Sequence, residues 1–303
     1  MCGIIAAVGQ RDVTEILLEG LRRLEYRGYD SAGVALLNDE GDLQSSKHSG
    51  KVAVLEEALA TSPVMGVTGI AHTRWATHGA PNTVNAHPHI SGNRIALVHN
   101  GIIENHQSLR ESLMSHGVTF ASDTDTEVIV HLINAEMENQ PSLLKAVQQV
   151  LPRLEGAYAL AVLDAQTPGL LVVARAGSPL VLGVGMGESY AGSDTLALRP
   201  VTDRFVYLEE GDTAELIAGS YTIYSHDGHV VEREITRLEA SDDNGGLGDY
   251  EHYMLKEIYE QPARLQDTVS IDWRSDDCFG ANTRELLSRV ESIQIIACGT
   301  SYH

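Results

Sequence analysis

The sequence predicts an α+β fold in which antiparallel sheets are covered by helices, and three observations lead to this prediction. Apolar segments of strand length outnumber amphipathic segments of helical length. Many strand segments follow one another after short connections, which argues against a regularly alternating parallel sheet. The composition is that of an ordinary globular protein, with 43% hydrophobic and 21% charged residues in 303 positions. The pattern alone leaves the number of layers open.

Eight segments are predicted to be strands because they are short and apolar and have turn residues near their ends. In chain order they are CGIIAAV (2–8), VALL (34–37), TGIAHTR (68–74), RIALVHN (94–100), AYALAVLD (157–164), GLLVVA (169–174), PLVLGV (179–184) and RFVYLEE (204–210).

A helix is predicted after the first strand, with Asp12 as a plausible N-cap. Its apolar face consists of residues at helical spacing, namely Val13, Ile16, Leu17, Leu21 and Leu24. Three further helices are predicted near residues 106–116, 126–139 and 142–154, and another over residues 253–269.

A domain boundary is predicted near residue 240. Residues 240–252 (ASDDNGGLGDYEH) are rich in Asp, Gly and Asn and are typical of a linker. The segment SIQIIACGTS (292–301) is typical of a buried strand that ends in a small-residue loop, as at many phosphate sites. We therefore expect residues 1–240 to form one domain. Residues 241–303 would be the linker, helix and first strand of a larger domain that continues beyond His303.

The bulk composition excludes some classes of function. A formal net charge of −21 repels phosphate backbones, so no nucleic-acid partner is expected. No apolar segment is as long as a membrane span, and no signal peptide is recognisable. Three cysteines at positions 2, 278 and 298 form neither a disulfide framework nor a paired metal-ligand motif. The expectation is a cytoplasmic protein without a membrane partner.

Cys2 carries two reactive groups once Met1 is removed, as is usual when the second residue is small. One is a thiol, whose ordinary pKa is about 8.5, and the other is an α-amine, whose ordinary pKa is roughly 7.7–8.0. Such an amine can accept the thiol proton and later return it to a leaving group. Cys2 is therefore a candidate nucleophile with its own base. The alternative is a small apolar residue at the start of a strand.

Two motifs contain charged side chains that suit a free amino acid. Arg74, in HTRWATHG (72–79), has a planar guanidinium that fits a carboxylate, although a surface ion pair is the commoner role of an arginine. Asp125, in SDTDTE (122–127), lies near a helix start, where it either caps the helix or binds an ammonium group.

A third motif, VHNGIIEN (98–105), places Asn100 and Gly101 just past a predicted strand. A side-chain amide beside a glycine N–H is a suitable pair of donors for an oxyanion. Asn-Gly is also the strongest short turn signal, so a plain turn is the alternative.

The sequence contains thirteen histidines, of which His87 and His89 around Pro88 raise the question of a metal site. No Cys or carboxylate lies at a standard ligand spacing from them, so no metal is expected. His72 and His99, at the ends of strands, are interpreted as structural residues with satisfied hydrogen bonds.

The order of the motifs is more specific than any single motif. The set MCGI (1–4), LRRLEYRGYDSAG (21–33), GIAHTRWATHG (69–79), NAHPH (85–89), HNGIIEN (99–105) and SDTDTE (122–127) resembles the N-terminal nucleophile glutamine amidotransferases. The similarity continues through GSPLVLGVGMGE (177–188) and HYMLKEIYEQP (252–262) to CGTS (298–301). It is greatest to members that pass ammonia to a sugar phosphate.

This resemblance implies a four-layer αββα domain for residues 1–240, followed by the start of an α/β sugar isomerase domain. It implies hydrolysis of L-glutamine to glutamate and ammonia through a thioester at Cys2, without a cofactor. For the full-length enzyme it implies transfer of the ammonia to fructose 6-phosphate and a homodimer. This chain, which stops early in the isomerase domain, is expected to lack the transfer step.

The resemblance also assigns roles to individual residues. The chemical step is assigned to Cys2 as nucleophile, with its α-amine as base, and to the oxyanion donors Asn100 and Gly101. Binding of the glutamine carboxylate and ammonium is assigned to Arg74, Thr77, His78 and Asp125. Gating of ammonia passage is assigned to Trp75, and the start of a sugar-phosphate site to Thr300 and Ser301.

Three other functions stay open at this stage. The same catalytic domain could serve another acceptor, as in phosphoribosylamine or asparagine synthesis, although the residues of the segments HTRWATHG and CGTS disfavour this. A peptidase or acylase is disfavoured by the pair Arg74 and Asp125, which suits the two charges of a free amino acid. A non-catalytic glutamine sensor would not need Cys2, Asn100 and Gly101 together.

Overall fold

The structure is a computed structural model that describes residues 2–28, 30–38, 40–75, 79–140, 142–238, 250, 252–269, 285, 287–292 and 294. Four residues with an expected role, Thr77, His78, Thr300 and Ser301, lie outside the described residues. So does most of the strand expected over residues 292–301. The chain divides into two compact units, Met1–Asn244 and Gly245–His303.

The helices of the first unit, among the residues described, are α1 (Thr14–Leu24), α2 (Val52–Thr61), α3 (His106–Ser115), α4 (Thr126–Glu136) and α5 (Leu143–Val150). Its strands are β1 (Gly3–Val8), β2 (Ser31–Leu37), β3 (Leu43–Ser49), β4 (Thr68–Arg74), β5 (His89–Ser91), β6 (Ile95–Ile103), β7 (Gly156–Asp164), β8 (Leu171–Ala176), β9 (Val181–Val184), β10 (Ser189–Gly192), β11 (Arg204–Tyr207), β12 (Thr213–Ile217), β13 (Ser220–Tyr224), β14 (Val230–Val231) and β15 (Ile235–Arg237).

The second unit contains helix α6 (Tyr253–Val269). Much of the surface of α6 is apolar and exposed, as Met254 and Tyr259 show. Across the part of the chain that is described, the helices are too short or too polar to span a membrane.

The strands of the first unit form two antiparallel sheets. The eight-stranded sheet has the order β15-β11-β9-β10-β1-β4-β2-β3, and the seven-stranded sheet has the order β14-β13-β12-β8-β7-β6-β5. Strand β1 is therefore central in one sheet, with β4 beside it, and β6 lies between β7 and β5 in the other.

The apolar strands lack a polar alternation because both faces of each sheet are buried. In β1, Ile4, Ala6 and Val8 contribute to the core between the two sheets, whereas Ile5 and Ala7 pack in the cluster that includes α1 and α2. A third cluster joins the outer face of the seven-stranded sheet to α4 and α5. The layers are therefore helix, sheet, sheet and helix, which confirms the predicted α+β class and the αββα arrangement. Each large aliphatic side chain buried there contributes about 1.5–3 kcal/mol, which holds β1 and β6 in fixed positions.

Most predicted elements are present, and β4 and α6 have the predicted bounds. The proposed N-cap of α1 is wrong, because Val13 occupies that position. Asp12 instead accepts hydrogen bonds from the Thr14 hydroxyl (2.7 Å) and the Gly66 N–H (3.0 Å), and so joins the start of α1 to the segment before β4.

The sequence analysis did not predict helix α2 or the strands β3, β5, β10, β12, β13, β14 and β15. For β3 and α2 the physical reason lies in their sequences. Strand β3 has the polar sequence LQSSKHS because it is an edge strand whose residues are half-buried or exposed. Helix α2 buries only Val52, Leu55 and Leu59, and apolar residues on its exposed face weaken the helical pattern.

Candidate active site

Cys2 lies where β1 begins, and sheet pairing brings it beside the end of β4. Gly3 pairs with Thr73, so Cys2 is next to Arg74 and Trp75 across the sheet. The Trp75 N–H donates to Cys2 Sγ at 3.2 Å, and Sγ lies 3.5 Å from the Trp75 carbonyl oxygen, to which the thiol can donate. Sheet pairing and these two contacts thus place the sulfur beside the end of β4.

The environment of Cys2 favours the thiol over the thiolate. The half-buried position raises the pKa of the Cys2 thiol, and the hydrogen bond from the Trp75 N–H opposes this only in part. A group that attacks as a thiolate therefore needs a base close by.

Asn100 and Gly101 lie inside β6 and not past its end. Strand β6 continues to Ile103 and pairs with β7 along its length, so the turn interpretation of Asn-Gly is wrong. Gly101 has φ +140°, and a Cβ at that position would lie 1.9 Å from the Ala157 carbonyl oxygen. The strand can pass this point only with glycine.

The Asn100 side chain connects the two sheets. Its Nδ2 donates to the Cys2 carbonyl oxygen at 3.1 Å, and its Oδ1 lies 2.9 Å from His72 Nε2. The Asn100 residue is 9% exposed, so little of this amide is available to bulk water. The amide nitrogen is thereby placed beside the residue that bears the sulfur.

His72 and His99 are buried, as their structural interpretation requires, and burial lowers the pKa of His72 to about 3. His72 Nε2 contacts the His99 carbonyl oxygen at 3.0 Å, and His99 Nδ1 contacts Thr126 Oγ1 at 2.9 Å. The expectation that all their hydrogen bonds are satisfied is wrong for His72, because its buried Nδ1 has no hydrogen-bond partner in the described part of the chain.

The pair His87 and His89 belongs to the same buried group. The rings of His72 and His87 lie 4.1 Å apart, and those of His87 and His89 lie 4.9 Å apart. His89 Nε2 contacts Thr124 Oγ1 at 3.1 Å. Among the described residues no group of three or more His, Cys, Asp or Glu side chains could hold a metal ion.

Arg74 does not form a surface ion pair, because its side chain is only 5% exposed. The guanidinium donates to the carbonyl oxygens of Ala80 (3.3 Å) and Gly79 (3.4 Å) and lies 3.9 Å from the Asp30 carboxylate. Arg74 thus connects the end of β4 to the chain that follows residues 76–78.

Asp125 lies at the N-cap position of α4 but does not cap the helix with its side chain. Its Oδ2 accepts a hydrogen bond from the Ile103 N–H at 2.9 Å, two residues after Gly101 in β6. The carboxylate also lies 4.0 Å from His99 Nδ1. This negative charge is therefore placed beside the strand that carries the proposed oxyanion donors.

Glu127 organises the loop before α4, a role that the sequence motifs had not indicated. It accepts hydrogen bonds from the Ala121 N–H (2.8 Å) and from the N–H and hydroxyl of Ser122 (both 2.6 Å). Burial alone would raise the pKa of Glu127, but these bonds and that from His131 lower it to about 2. The spacing Thr124-x-x-Glu127 resembles a capping box and could have revealed the role.

Four predicted residues, Cys2, Trp75, Asn100 and Gly101, line one cavity of 540 Å³. The described lining also includes Ile102, Glu104, Ala157, Ser178, Pro179 and Ser193, to none of which the sequence analysis had assigned a role. Arg74 and Asp125 are not among these lining residues. The volume suits a small-molecule ligand.

Known proteins resemble this chain in both sequence and fold. Residues 72–200 match a family described as a glutamine amidotransferase domain. The chain carries a glutamine amidotransferase domain.

Relatives named glutamine--fructose-6-phosphate aminotransferase [isomerizing] align with this chain over its whole length. One from Shewanella oneidensis is 55% identical and one from Pseudomonas syringae pv. tomato is 54% identical, each over 100% of this chain. The chain spans about half the length of these relatives, 50% in both cases.

A solved structure of glutamine phosphoribosylpyrophosphate amidotransferase from B. subtilis, complexed with ADP and GMP, is similar to the amidotransferase domain. It has a TM-score of 0.62 and 26% identity, and the alignment covers 79% of this chain and 50% of that one.

Proposed function

We propose that this chain hydrolyses L-glutamine to glutamate and ammonia, with Cys2 as nucleophile after removal of Met1. The observation that carries the proposal is the convergence of Cys2, Asn100 and Gly101 on one cavity. The names of the relatives at 55% and 54% identity support glutamine as the amide donor.

In the proposed reaction the α-amine of Cys2 takes the thiol proton while Sγ attacks the side-chain amide carbon of glutamine. The oxyanion that forms accepts hydrogen bonds from Asn100 Nδ2–H and the Gly101 N–H. The α-ammonium then protonates the departing nitrogen, the C–N bond breaks, and ammonia leaves a γ-glutamyl thioester. A water molecule, deprotonated by the same amine, attacks the thioester, and its collapse releases glutamate and returns the proton to sulfur.

The raised pKa of the Cys2 thiol supports a base within the same residue. Because the thiol is protonated at neutral pH in this environment, attack requires simultaneous proton removal, and an amine with a pKa near neutrality is suited to that task. The chemistry needs no metal or cofactor.

Substrate binding is proposed for Arg74 and Asp125, together with Thr77 and His78, which lie outside the described residues. The buried guanidinium and carboxylate have the two charges that complement the α-carboxylate and α-ammonium of glutamine. A gating role for ammonia is proposed for Trp75, whose residue is 57% exposed at the edge of the cavity.

For the full-length protein we propose transfer of the ammonia to fructose 6-phosphate, which would give glucosamine 6-phosphate. The names of the relatives support this acceptor over the alternatives of phosphoribosylamine and asparagine synthesis. A domain boundary at residues 240 and 241 is proposed with it, and the division of the chain near residue 244 supports that boundary. A sugar-phosphate role for Thr300 and Ser301, a homodimeric parent and a cytoplasmic location stay predictions.

The test is ammonia release from L-glutamine by purified chain, after mass spectrometry shows that Met1 is absent. Release should fall to background in Cys2→Ala and stay unchanged in Cys278→Ala and Cys298→Ala, which control for the loss of a thiol. Release that survives in Cys2→Ala would refute the nucleophile. Tight glutamine binding by processed chain without any release would favour the sensor function.

A further inference from the structure

The orientation of the Asn100 amide follows from the backbone carbonyl of Cys2, which can only accept hydrogen bonds. Because the Cys2 carbonyl oxygen cannot donate, the Asn100 atom at 3.1 Å from it must be the NH₂ group. The other end of the amide, Oδ1, must then face His72 Nε2 at 2.9 Å.

The tautomer of His72 follows in the same way. His72 Nε2 lies 3.0 Å from the His99 carbonyl oxygen, which is also only an acceptor, so Nε2 must carry the proton. That single N–H is shared between the His99 oxygen and Asn100 Oδ1, and Nδ1 is left as an unprotonated nitrogen. The absence of a hydrogen-bond partner for Nδ1 in the described part of the chain agrees with a ring that has no second proton to donate.

The surroundings of His72 keep this tautomer neutral. The residue is 1% exposed, its ring lies against His87, and burial lowers its pKa to about 3. The neighbouring rings of His87 and His89 also have lowered pKa values because they too are buried. The ring therefore presents the same donor to Asn100 throughout the neutral pH range.

We propose that His72 is a positioning residue for glutamine hydrolysis, because its Nε2–H holds Asn100 in the one orientation that aims the amide NH₂ at the reacting centre. This inference rests on the proposed function. One amide hydrogen is directed to the Cys2 carbonyl oxygen, and the second is available to an oxyanion in the cavity. A flipped amide would present its oxygen to both acceptors and would repel the developing negative charge.

The experiment uses the processed chain and a double-mutant cycle. His72→Phe removes the donor and keeps a ring, His72→Gln restores an N–H near the position of Nε2, and Asn100→Ala removes the group that is positioned. His131→Phe is the matched control, since it removes a largely buried histidine that hydrogen-bonds to Ser91 and Glu127. The measurements are kcat and KM for glutamine, with thermal unfolding to confirm that each variant is folded.

In His72→Phe we expect kcat to fall about tenfold to 100-fold while KM changes less than about threefold, because the donor acts on the transition state. His72→Gln should recover most of the loss, and His131→Phe should stay within about threefold of the parent. In the Asn100→Ala background, His72→Phe should lower kcat by less than about a further threefold. If His72 only stabilised the fold, His72→Phe would lower kcat by the same factor in the parent and in the Asn100→Ala variant.

Losses that multiply in the double variant, or a His72→Gln variant as slow as His72→Phe, would overturn the positioning role. If the parent still hydrolyses glutamine in a Cys2-dependent way, the proposed function stands after that result. A second measurement does not depend on activity: the ¹⁵N histidine spectrum of the parent should show His72 as a neutral ring with its proton on Nε2. A proton on Nδ1 would refute the inference even if the chain proved inactive or the variants failed to fold.

Discussion

The two sheets support the candidate site in different ways. The eight-stranded sheet holds Cys2 at the very start of β1, where both hydrogen bonds of the sulfur involve the backbone of Trp75. The seven-stranded sheet holds Asn100 and Gly101 inside β6, where strand pairing continues on both sides of them. The side chain of Asn100 is fixed further by a hydrogen bond at each end.

This difference agrees with the roles that we propose for the two groups. A nucleophile has to move towards carbon as its bond forms, and a sulfur held by hydrogen bonds of 3.2 and 3.5 Å to one neighbouring residue allows that motion. Oxyanion donors are effective only if their dipoles are already oriented, since reorientation during the reaction would cost much of what they contribute. The more rigid support on the side of β6 is therefore expected.

The strongest test of the rigidity of β6 is the substitution Gly101→Ala. The new Cβ would lie 1.9 Å from the Ala157 carbonyl oxygen at a φ of +140°, so the strand must distort. We expect a loss of at least about 3 kcal/mol in the free energy of unfolding and about 100-fold in ammonia release. Urea unfolding and the ammonia assay measure the two effects.

Gly117→Ala is the matched control, because Gly117 also has a positive φ (+85°) but nothing lies within 4 Å of an added Cβ. It should cost about 1 kcal/mol through backbone strain alone and leave activity unchanged. Equal costs for the two variants would show that β6 yields easily and would remove the contrast between the sheets.

A smaller effect is expected from Glu127→Gln, which tests whether the loop before α4 helps to support strand β6. The neutral amide accepts fewer and weaker hydrogen bonds from Ala121 and Ser122, so the free energy of unfolding should fall by about 2–3 kcal/mol. Glu111→Gln, on the exposed surface, is the control and should change it by less than about 0.5 kcal/mol.

The decrease in the free energy of unfolding caused by Glu127→Gln should depend on pH. Hydrogen bonds outweigh the effect of burial and hold the pKa of Glu127 at about 2 in the folded protein, against about 4.3 in an unfolded chain. Because the folded pKa is the lower one, the contribution is complete above the unfolded pKa and is lost as the pH falls from about 4.3 towards 2. Unfolding curves of the parent and the variant that stay equally far apart across this interval would contradict the role of the charge.

The smallest expected change is in Asp125→Asn, which separates support of β6 from substrate binding. The asparagine oxygen can still accept the Ile103 N–H, so stability should change little. Loss of the negative charge should raise KM for glutamine about tenfold, equivalent to about 1.4 kcal/mol. Asp123→Asn, two residues away and exposed, should leave KM unchanged. An unchanged KM in Asp125→Asn would exclude its carboxylate from ammonium binding.

Much of the fold could be predicted from apolar segments, because burial on both faces leaves a continuous signal in strands such as β4 and β7. The edge strand β3 was not predicted for the opposite reason, because its residues are polar and at most half-buried. The motifs identified Cys2, Asn100 and Gly101, which do line one cavity. The motifs did not reveal that Glu127 ties the loop before α4 to that helix, because this role depends on hydrogen bonds to backbone N–H groups as well as to side chains.

The sequence by itself determined the class of fold, the family and the residues with reactive groups, because side-chain chemistry and hydrophobic pattern are local properties of the chain. Only the tertiary structure decided that Asn-Gly continues a strand, that Arg74 is buried and that His72 faces Asn100. These outcomes depend on which strands pair and which layers stack. Contacts between β1, β4 and β6, which are separated by tens of residues, arise only when both sheets have closed around a common core.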